Sequence, residues 1–284
     1  MKAQTLQKHP FNRPWRILLW GAPGSGKTVK AHTWPGTRTL DFDDGMLSVM
    51  WAIKAGIIKK KPEDIIYATI GEREEEKERG KHGFVKLPMA LDRATEQIDD
   101  WTEEGGFSTL IVDSATALNQ YCMLKGAKSM DSFGYSTSWT KALKENLFIP
   151  RIQDFGGSKN MFSQFAEWTL SLPYNVIYTA HQFEDTTDSG LVRQYQPLLI
   201  GSLREDIPRM FDEVWYCYVN NDGKFTSRTV TDKKHICKSR LGCLDPEETA
   251  FSYTEIREKV KAFWGSPGPR SGAKAGTKVS VAVS

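Results

Sequence analysis

The chain has 284 residues, of which 39% are hydrophobic and 26% charged, with a formal net charge of +3. That apolar share suffices for a sizeable core and excludes a disordered polypeptide, while the net charge is too small to announce nucleic acid by itself. No apolar run approaches the roughly 20 residues of a membrane span, and Met1-Lys2-Ala3-Gln4-Thr5 lacks the apolar stretch of a secretory signal, so a cytoplasmic protein without membrane contact is expected.

Strand and helix signals alternate along most of the chain, the pattern of a parallel sheet covered by helices. Arg16-Ile17-Leu18-Leu19-Trp20 reads as the first core strand, followed by a glycine-rich loop and a helix from about Lys27 that stops near Pro35. Arg38-Thr39-Leu40-Asp41-Phe42 is a second strand leading into Asp43-Asp44-Gly45, and 65–70 a third. The charged run 72–81 reads as a solvated helix or loop. Leu87, Leu91, Ala94, Ile98 and Trp101 recur at helical spacing and predict an amphipathic helix that ends at Gly105-Gly106. Thr109-Leu110-Ile111-Val112-Asp113 is a buried strand ending in a carboxylate.

A mainly helical stretch then runs to Leu172, with interruptions expected near Gly134, Pro150 and Gly156-Gly157. Asn175 to Ala180 is another core strand, ending in His181-Gln182, and 184–190 reads as a polar loop. The runs 213–219, 224–230 and 235–238 read as antiparallel strands extending the sheet, the first two joined by a turn at Asn221-Asp222-Gly223. A last helix covers about 254–264. The expected organisation is an N-terminal extension over 1–14, one domain over 15–264, and a basic, low-complexity, disordered tail over 265–284. Cys122, Cys217, Cys237 and Cys243 form no CxxC pair and read as thiols, and His235, Cys237 and Cys243 match no ordinary zinc spacing.

Gly21-Ala22-Pro23-Gly24-Ser25-Gly26-Lys27-Thr28 fits G-x-x-x-x-G-K-[ST] between a predicted strand and a predicted helix, the context this phosphate-binding loop requires. Its glycines let backbone N–H groups approach the phosphates of ATP, and the helix N-terminus adds partial positive charge. Lys27 is expected to bridge the β- and γ-phosphates, Thr28 to hold Mg²⁺, and Val29 to complete the nucleotide-binding segment. Asp113 is expected to supply the second carboxylate near the metal, with a cap on the following helix the alternative. Ser114, Ala115 and Thr116 offer no acid after it, so the carboxylate that orients the attacking water is sought at Asp43 and Asp44, with Asp44 the first choice and a plain turn the alternative. His181 and Gln182 end a core strand on the same sheet edge and are candidates to sense the γ-phosphate. Lys238 and Arg240 are either solvated cations or a finger acting on a neighbouring subunit's ATP.

This order of motifs resembles the RecA-like ATPase core. Patches at Gln153-Asp154-Phe155-Gly156, Val176 to His181, Pro197 to Gly201, Phe211 to Val214 and Lys238-Ser239-Arg240 resemble, more specifically, the phage-encoded AAA-type nucleotide-binding proteins, which include the single-strand annealing proteins of the fourth Sak class. The resemblance implies an α/β fold, mostly parallel with C-terminal antiparallel strands, and an ATPase that oligomerises as a ring or filament on single-stranded DNA in phage recombination or replication. A single-strand-binding protein would be a partner and a bacterial host's cytoplasm the location. Two features depart from the RecA pattern: Asp44 stands where glutamate is usual, and Glu184, Asp185 and Asp188 against Arg193 leave the loop after His181 without basic character. Lys125, Lys128, Lys141 and Lys144, interleaved with Phe133, Tyr135 and Trp139, are the expected DNA contacts, with Arg270, Lys274 and Lys278 adding a nonspecific term. A mediator that hydrolyses little and a small-molecule kinase are the alternatives, the latter without the arginine-rich lid such kinases carry.

Overall fold

The computed structural model describes residues 13–70, 90–130 and 152–265, with side chains omitted over 124–130 and 152–154. Its strands are β1 (Arg16–Gly21), β2 (Thr37–Asp41), β3 (Ile66–Thr69), β4 (Thr109–Asp113), β5 (Asn175–Thr186), β6 (Val192–Pro197), β7 (Glu213–Val219), β8 (Phe225–Arg228) and β9 (Glu247–Glu248). The helices are α1 (Lys27–Ala31), α2 (Met46–Lys54), α3 (Ala90–Glu104), α4 (Ala115–Met130), α5 (Ile152–Ser171), α6 (Leu203–Met210) and α7 (Tyr253–Gly265). The sheet runs β3-β2-β4-β5-β1-β7-β8-β9, with β6 paired to β5 off this path.

The pairs from β3 through to β7 are parallel, and the pairs β7–β8 and β8–β9 are antiparallel. This is the fold class expected from the sequence, a mostly parallel sheet flanked by helices with antiparallel strands toward the C-terminus. The run 213–219, read as antiparallel, instead lies parallel to β1, because it returns to the sheet through α6 and not through a hairpin. The turn at 221–223 does form, with Gly223 N–H donating to the Asn220 carbonyl. Residues 235–238 make only isolated bridges, Tyr195 with His235 and Val214 with Lys238.

Because successive strand residues face opposite sides, the central strands divide their apolar side chains between two cores. Leu18, Trp20, Leu110, Val112, Val176 and Tyr178 face one side, where Ala94 and Ile98 of α3, Leu118 of α4 and Phe162 of α5 cover them. Ile17, Leu19, Ile111 and Ile177 face the other, packed with Trp15, Trp34, Trp215 and with Ile256 and Val260 of α7. A third cluster joins Val29 of α1 to Met46, Val49 and Ala52 of α2.

Two further expectations are corrected. α5 runs straight through Gly156-Gly157, where an interruption was expected; both glycines fall in the helix's second turn. The polar loop at 184–190 is a hairpin: β5 continues to Thr186 and pairs antiparallel with β6, turning at Thr187 to Gly190. The charged run 72–81, the interruptions at Gly134 and Pro150, the side chains of the expected DNA-contact stretch 125–144, and the tail beyond Gly265 lie outside the described residues.

Candidate functional site

Since β1, β2, β4 and β5 are parallel, their C-terminal ends meet along one edge of the sheet, and the loops leaving them converge there. A cavity of about 590 Å³ opens at this edge, and its lining includes Lys27, Thr28, Asp43, Asp113, Thr179 and His181.

The glycine-rich loop leaves β1 at Gly21 and enters α1 at Lys27. Gly21 has φ 154°, and a Cβ there would stand 2.1 Å from the Cys217 carbonyl oxygen of β7. Gly26 has φ 83°, and a Cβ there would meet the Phe225 ring at 2.8 Å. Both positions therefore require glycine, one through a backbone and one through an aromatic ring. Lys27 is buried, and its Nζ donates to the carbonyls of Gly21 at 3.0 Å and Ala22 at 2.9 Å. Burial pulls its pKa below the ordinary lysine value, while Cys217, Asp113 and Asp43 act in the opposite sense.

Thr28 Oγ1 donates to Asp113 Oδ2 at 2.7 Å, and Thr179 Oγ1 donates to Asp113 Oδ1. A hydroxyl and a carboxylate held side by side at the foot of a phosphate-binding loop are hard oxygen ligands of the kind Mg²⁺ takes together with phosphate oxygens and water. The residues thus fit the ion the sequence implies. Among the described residues no group of three or more His, Cys, Asp or Glu side chains is arranged to hold a metal, and the segment of His235, Cys237 and Cys243 is no exception.

β2 ends at Asp41, whose buried carboxylate accepts from the backbone N–H of Asp43 and from both sides by that of Gly45, each at 3.1 Å. This clamp shapes the turn that brings Asp43 to the cavity. Burial raises the Asp41 pKa, with the hydrogen bonds from Gly45 and Asp43 opposing it. Asp43 Oδ2 lies 3.3 Å from His181 Nε2. Burial pushes the Asp43 pKa upward, but hydrogen bonds from His181 and Ser114 and the charges of His181 and Lys27 outweigh it and hold the group below the ordinary carboxylate value. Asp43 and Asp44 are both exposed, but Asp44, the first choice from the sequence, takes φ 59° and does not line the cavity. The turn delivers one acid to the cavity, and that acid is Asp43.

His181 is fixed through its backbone: its N–H donates to Thr116 Oγ1 at 3.0 Å and its carbonyl accepts from Leu198 N–H at 2.7 Å. Gln182 points elsewhere, its Nε2 donating to Glu184 at 3.0 Å and its Oε1 accepting from Tyr216 Oη at 3.0 Å. Lys238 and Arg240 lie at the opposite edge of the sheet. Lys238 pairs with Val214 near the start of β7 and donates to the carbonyls of Pro208 and Arg209, while Arg240 forms an ion pair with Asp212 at 2.7 Å. Neither reaches the cavity of its own chain. Buried Glu213 fixes this segment, its Oε1 accepting from the N–H groups of Arg240 at 2.7 Å and Leu241 at 3.1 Å.

Asp41, Thr179, Trp51 and Phe225 carry no motif in the sequence and enter the site through the fold. For Asp41 a signal was available, an acid at a strand end two residues before an Asp-Asp-Gly turn.

Comparison with known proteins places residues 13–241 in the family described as AAA domain. A comparison with curated proteins finds no match. Solved structures similar to the chain include a prototypical ATPase from the type III secretion system of pathogenic bacteria, at 13% identity and a TM-score of 0.40, covering 74% of this chain and 53% of that one. Another is a KaiC-like protein from the hyperthermophilic archaeon Pyrococcus horikoshii OT3, at 12% identity and a TM-score of 0.39, covering 80% of this chain and 84% of that one. This chain thus spans about half the length of the secretion ATPase. With the phosphate-binding loop, Asp113 and the family match all falling within one parallel α/β core, the chain belongs to the AAA domain family of P-loop nucleoside triphosphatases.

Proposed function

We propose that the chain binds ATP with Mg²⁺ and hydrolyses it, using Asp43 as the carboxylate that positions water. The observation that carries this reading is the convergence of Lys27, Thr28, Asp113, Asp43 and His181 on one cavity. The loop amides and the Lys27 ammonium hold the triphosphate, and Thr28 and Asp113 hold the metal. When bound, Mg²⁺ draws charge from the phosphate oxygens. Asp43, kept ionised at neutral pH, accepts a hydrogen bond from the attacking water and orients it. His181 holds the Asp43 carboxylate in place and stands where β5 continues into the β5–β6 hairpin, so a change at the γ-phosphate reaches that hairpin through one strand.

Lys238 and Arg240, remote from their own cavity, act on the ATP of a neighbouring copy in a homo-oligomer. Coupling of turnover to single-stranded DNA in phage recombination, beside a single-strand-binding protein, is the finer form of the proposal and is supported by the sequence resemblance.

The test is steady-state ATP turnover with and without single-stranded DNA. Lys27→Ala and Asp43→Asn are expected to lower turnover by about 100-fold or more, and Asp44→Asn by no more than a few-fold. An inactive Asp44→Asn beside a fully active Asp43→Asn overturns the choice of acid. A rate that DNA leaves unchanged overturns the coupling and favours an ATPase with another partner.

A further inference from the structure

On the nucleotide reading, Lys27, Thr28, Asp113, Asp43 and His181 mark the phosphate-binding part of the cavity. The same cavity is also lined by two aromatic side chains on elements that are not neighbours in sequence, Trp51 of α2 and Phe225 of β8. Buried Val29 lines it as well.

Phe225 is a fixed wall. Its ring lies so close to the loop that Gly26 has no room for a side chain. Behind it the Phe251 ring packs at 5.3 Å, and the fully buried Lys30 ammonium of α1 stands 5.5 Å from that ring. Lys30 is held in turn by Ser227 Oγ at 2.8 Å and the Ala250 carbonyl at 3.1 Å. Trp51 is the opposite case, 55% exposed although its helix buries Met46, Val49 and Ala52 on the other face. An exposed indole on the rim of a phosphate-binding cavity leaves a large apolar, polarisable surface in water, and the face of a nucleobase covers such a surface well. On this wall Ser48 is polar, and its hydroxyl donates to the Gly45 carbonyl at 2.8 Å.

We propose that the purine ring of the nucleotide lies in this slot over Val29, between Phe225 and Trp51, and is recognised by the area of its face. The inference rests on the nucleotide reading given above and adds the substrate class: purine nucleoside triphosphates, adenine and guanine alike, ahead of pyrimidines. Phe225 gives the slot its position relative to the phosphates, and Trp51 supplies the contact that forms on binding.

Calorimetric titration of the full chain with ATP, GTP, CTP and inorganic tripolyphosphate, each with Mg²⁺, tests it. Wild type is expected to bind ATP and GTP within a few-fold of each other and CTP about tenfold more weakly. Trp51→Ala is expected to weaken ATP binding roughly tenfold, the scale of one lost base-stacking contact, while leaving tripolyphosphate affinity unchanged. Trp51→Phe should retain affinity to within a few-fold. If Trp51→Ala binds ATP as wild type does, or weakens ATP and tripolyphosphate alike, the base does not rest on Trp51. GTP bound 100-fold more weakly than ATP would show that base edges are read and overturn recognition by area. Failure of the nucleotide reading has a separate signature, wild type binding neither ATP nor tripolyphosphate or Lys27→Ala binding both undiminished.

Discussion

Asp41 shows how much of the site depends on a side chain that touches no ligand. Its carboxylate accepts from two N–H groups of the turn that carries Asp43, that of Gly45 shared between both oxygens, in a place closed to solvent. Asp41→Ala leaves those amides without an acceptor and is expected to lower unfolding stability by about 2–3 kcal/mol in urea denaturation. ATP turnover should fall with it while tripolyphosphate binding persists, since the glycine-rich loop is held by β1 and β7 and not by this clamp. Wild-type stability in Asp41→Ala would show that the turn holds itself. The glycine-rich loop between β1 and α1 was legible because residues 21–28 specify it within one contiguous motif. Which of Asp43 and Asp44 lines the cavity follows from the turn geometry, with the Asp41 clamp and a left-handed residue at 44. Thr179 was read only as part of a strand, because its relevance comes from Asp113 on another strand.

At the scale of elements, β1, β4 and the core of β5 were evident as apolar runs because parallel strands are buried on both faces. The hairpin was not, since residues 182–186 and 192–196 are half-buried or exposed on both faces and carry no alternation of polarity to reveal them. α2 escaped the sequence reading for the opposite reason: Leu47, Met50 and Trp51 are apolar on its exposed face, which blurs the periodicity made by Met46, Val49 and Ala52. α5 illustrates tertiary context prevailing over local preference. Gly156 is exposed inside this helix, and a Cβ there would meet nothing within 4 Å. Gly156→Ala is therefore expected to stabilise the protein by about 0.5–1 kcal/mol, raising the melting temperature by roughly 1–4 °C. A lower melting temperature would mean that the helix uses the flexibility of that glycine.

The whole molecule follows from where its parallel strands end. Every group proposed to meet the phosphates comes from the C-terminal edge of the sheet, while Arg240, Glu213 and Lys238 mark the other edge. Ligand at the first edge bridges β1, β2, β4 and β5 at once, so its binding free energy adds to the stability of the sheet. MgATP at about 100 times its dissociation constant is expected to contribute about 2.7 kcal/mol and to raise the melting temperature by about 5–10 °C. Lys27→Ala should show almost none of this rise in a thermal-shift measurement. An equal rise in both would place the nucleotide elsewhere. The sequence conveyed this organisation through the order of its strands and loops, but not which edge Lys238 and Arg240 occupy, because β7 joins β1 in parallel and reverses the position that an antiparallel extension would give them.

The pairing of β1 also bears on the chain as it is made. Residues 21–28 leave the ribosome early, yet Arg16 pairs with Val176 and Ile17 with Glu213, and the carbonyl that confines Gly21 belongs to Cys217. The phosphate cradle therefore takes shape only after β5 and β7 have been synthesised and have docked on either side of β1, a folding order dominated by distant contacts. A nascent chain carries the complete nucleotide motif long before it can hold a nucleotide, and gaining that capacity coincides with closing the sheet.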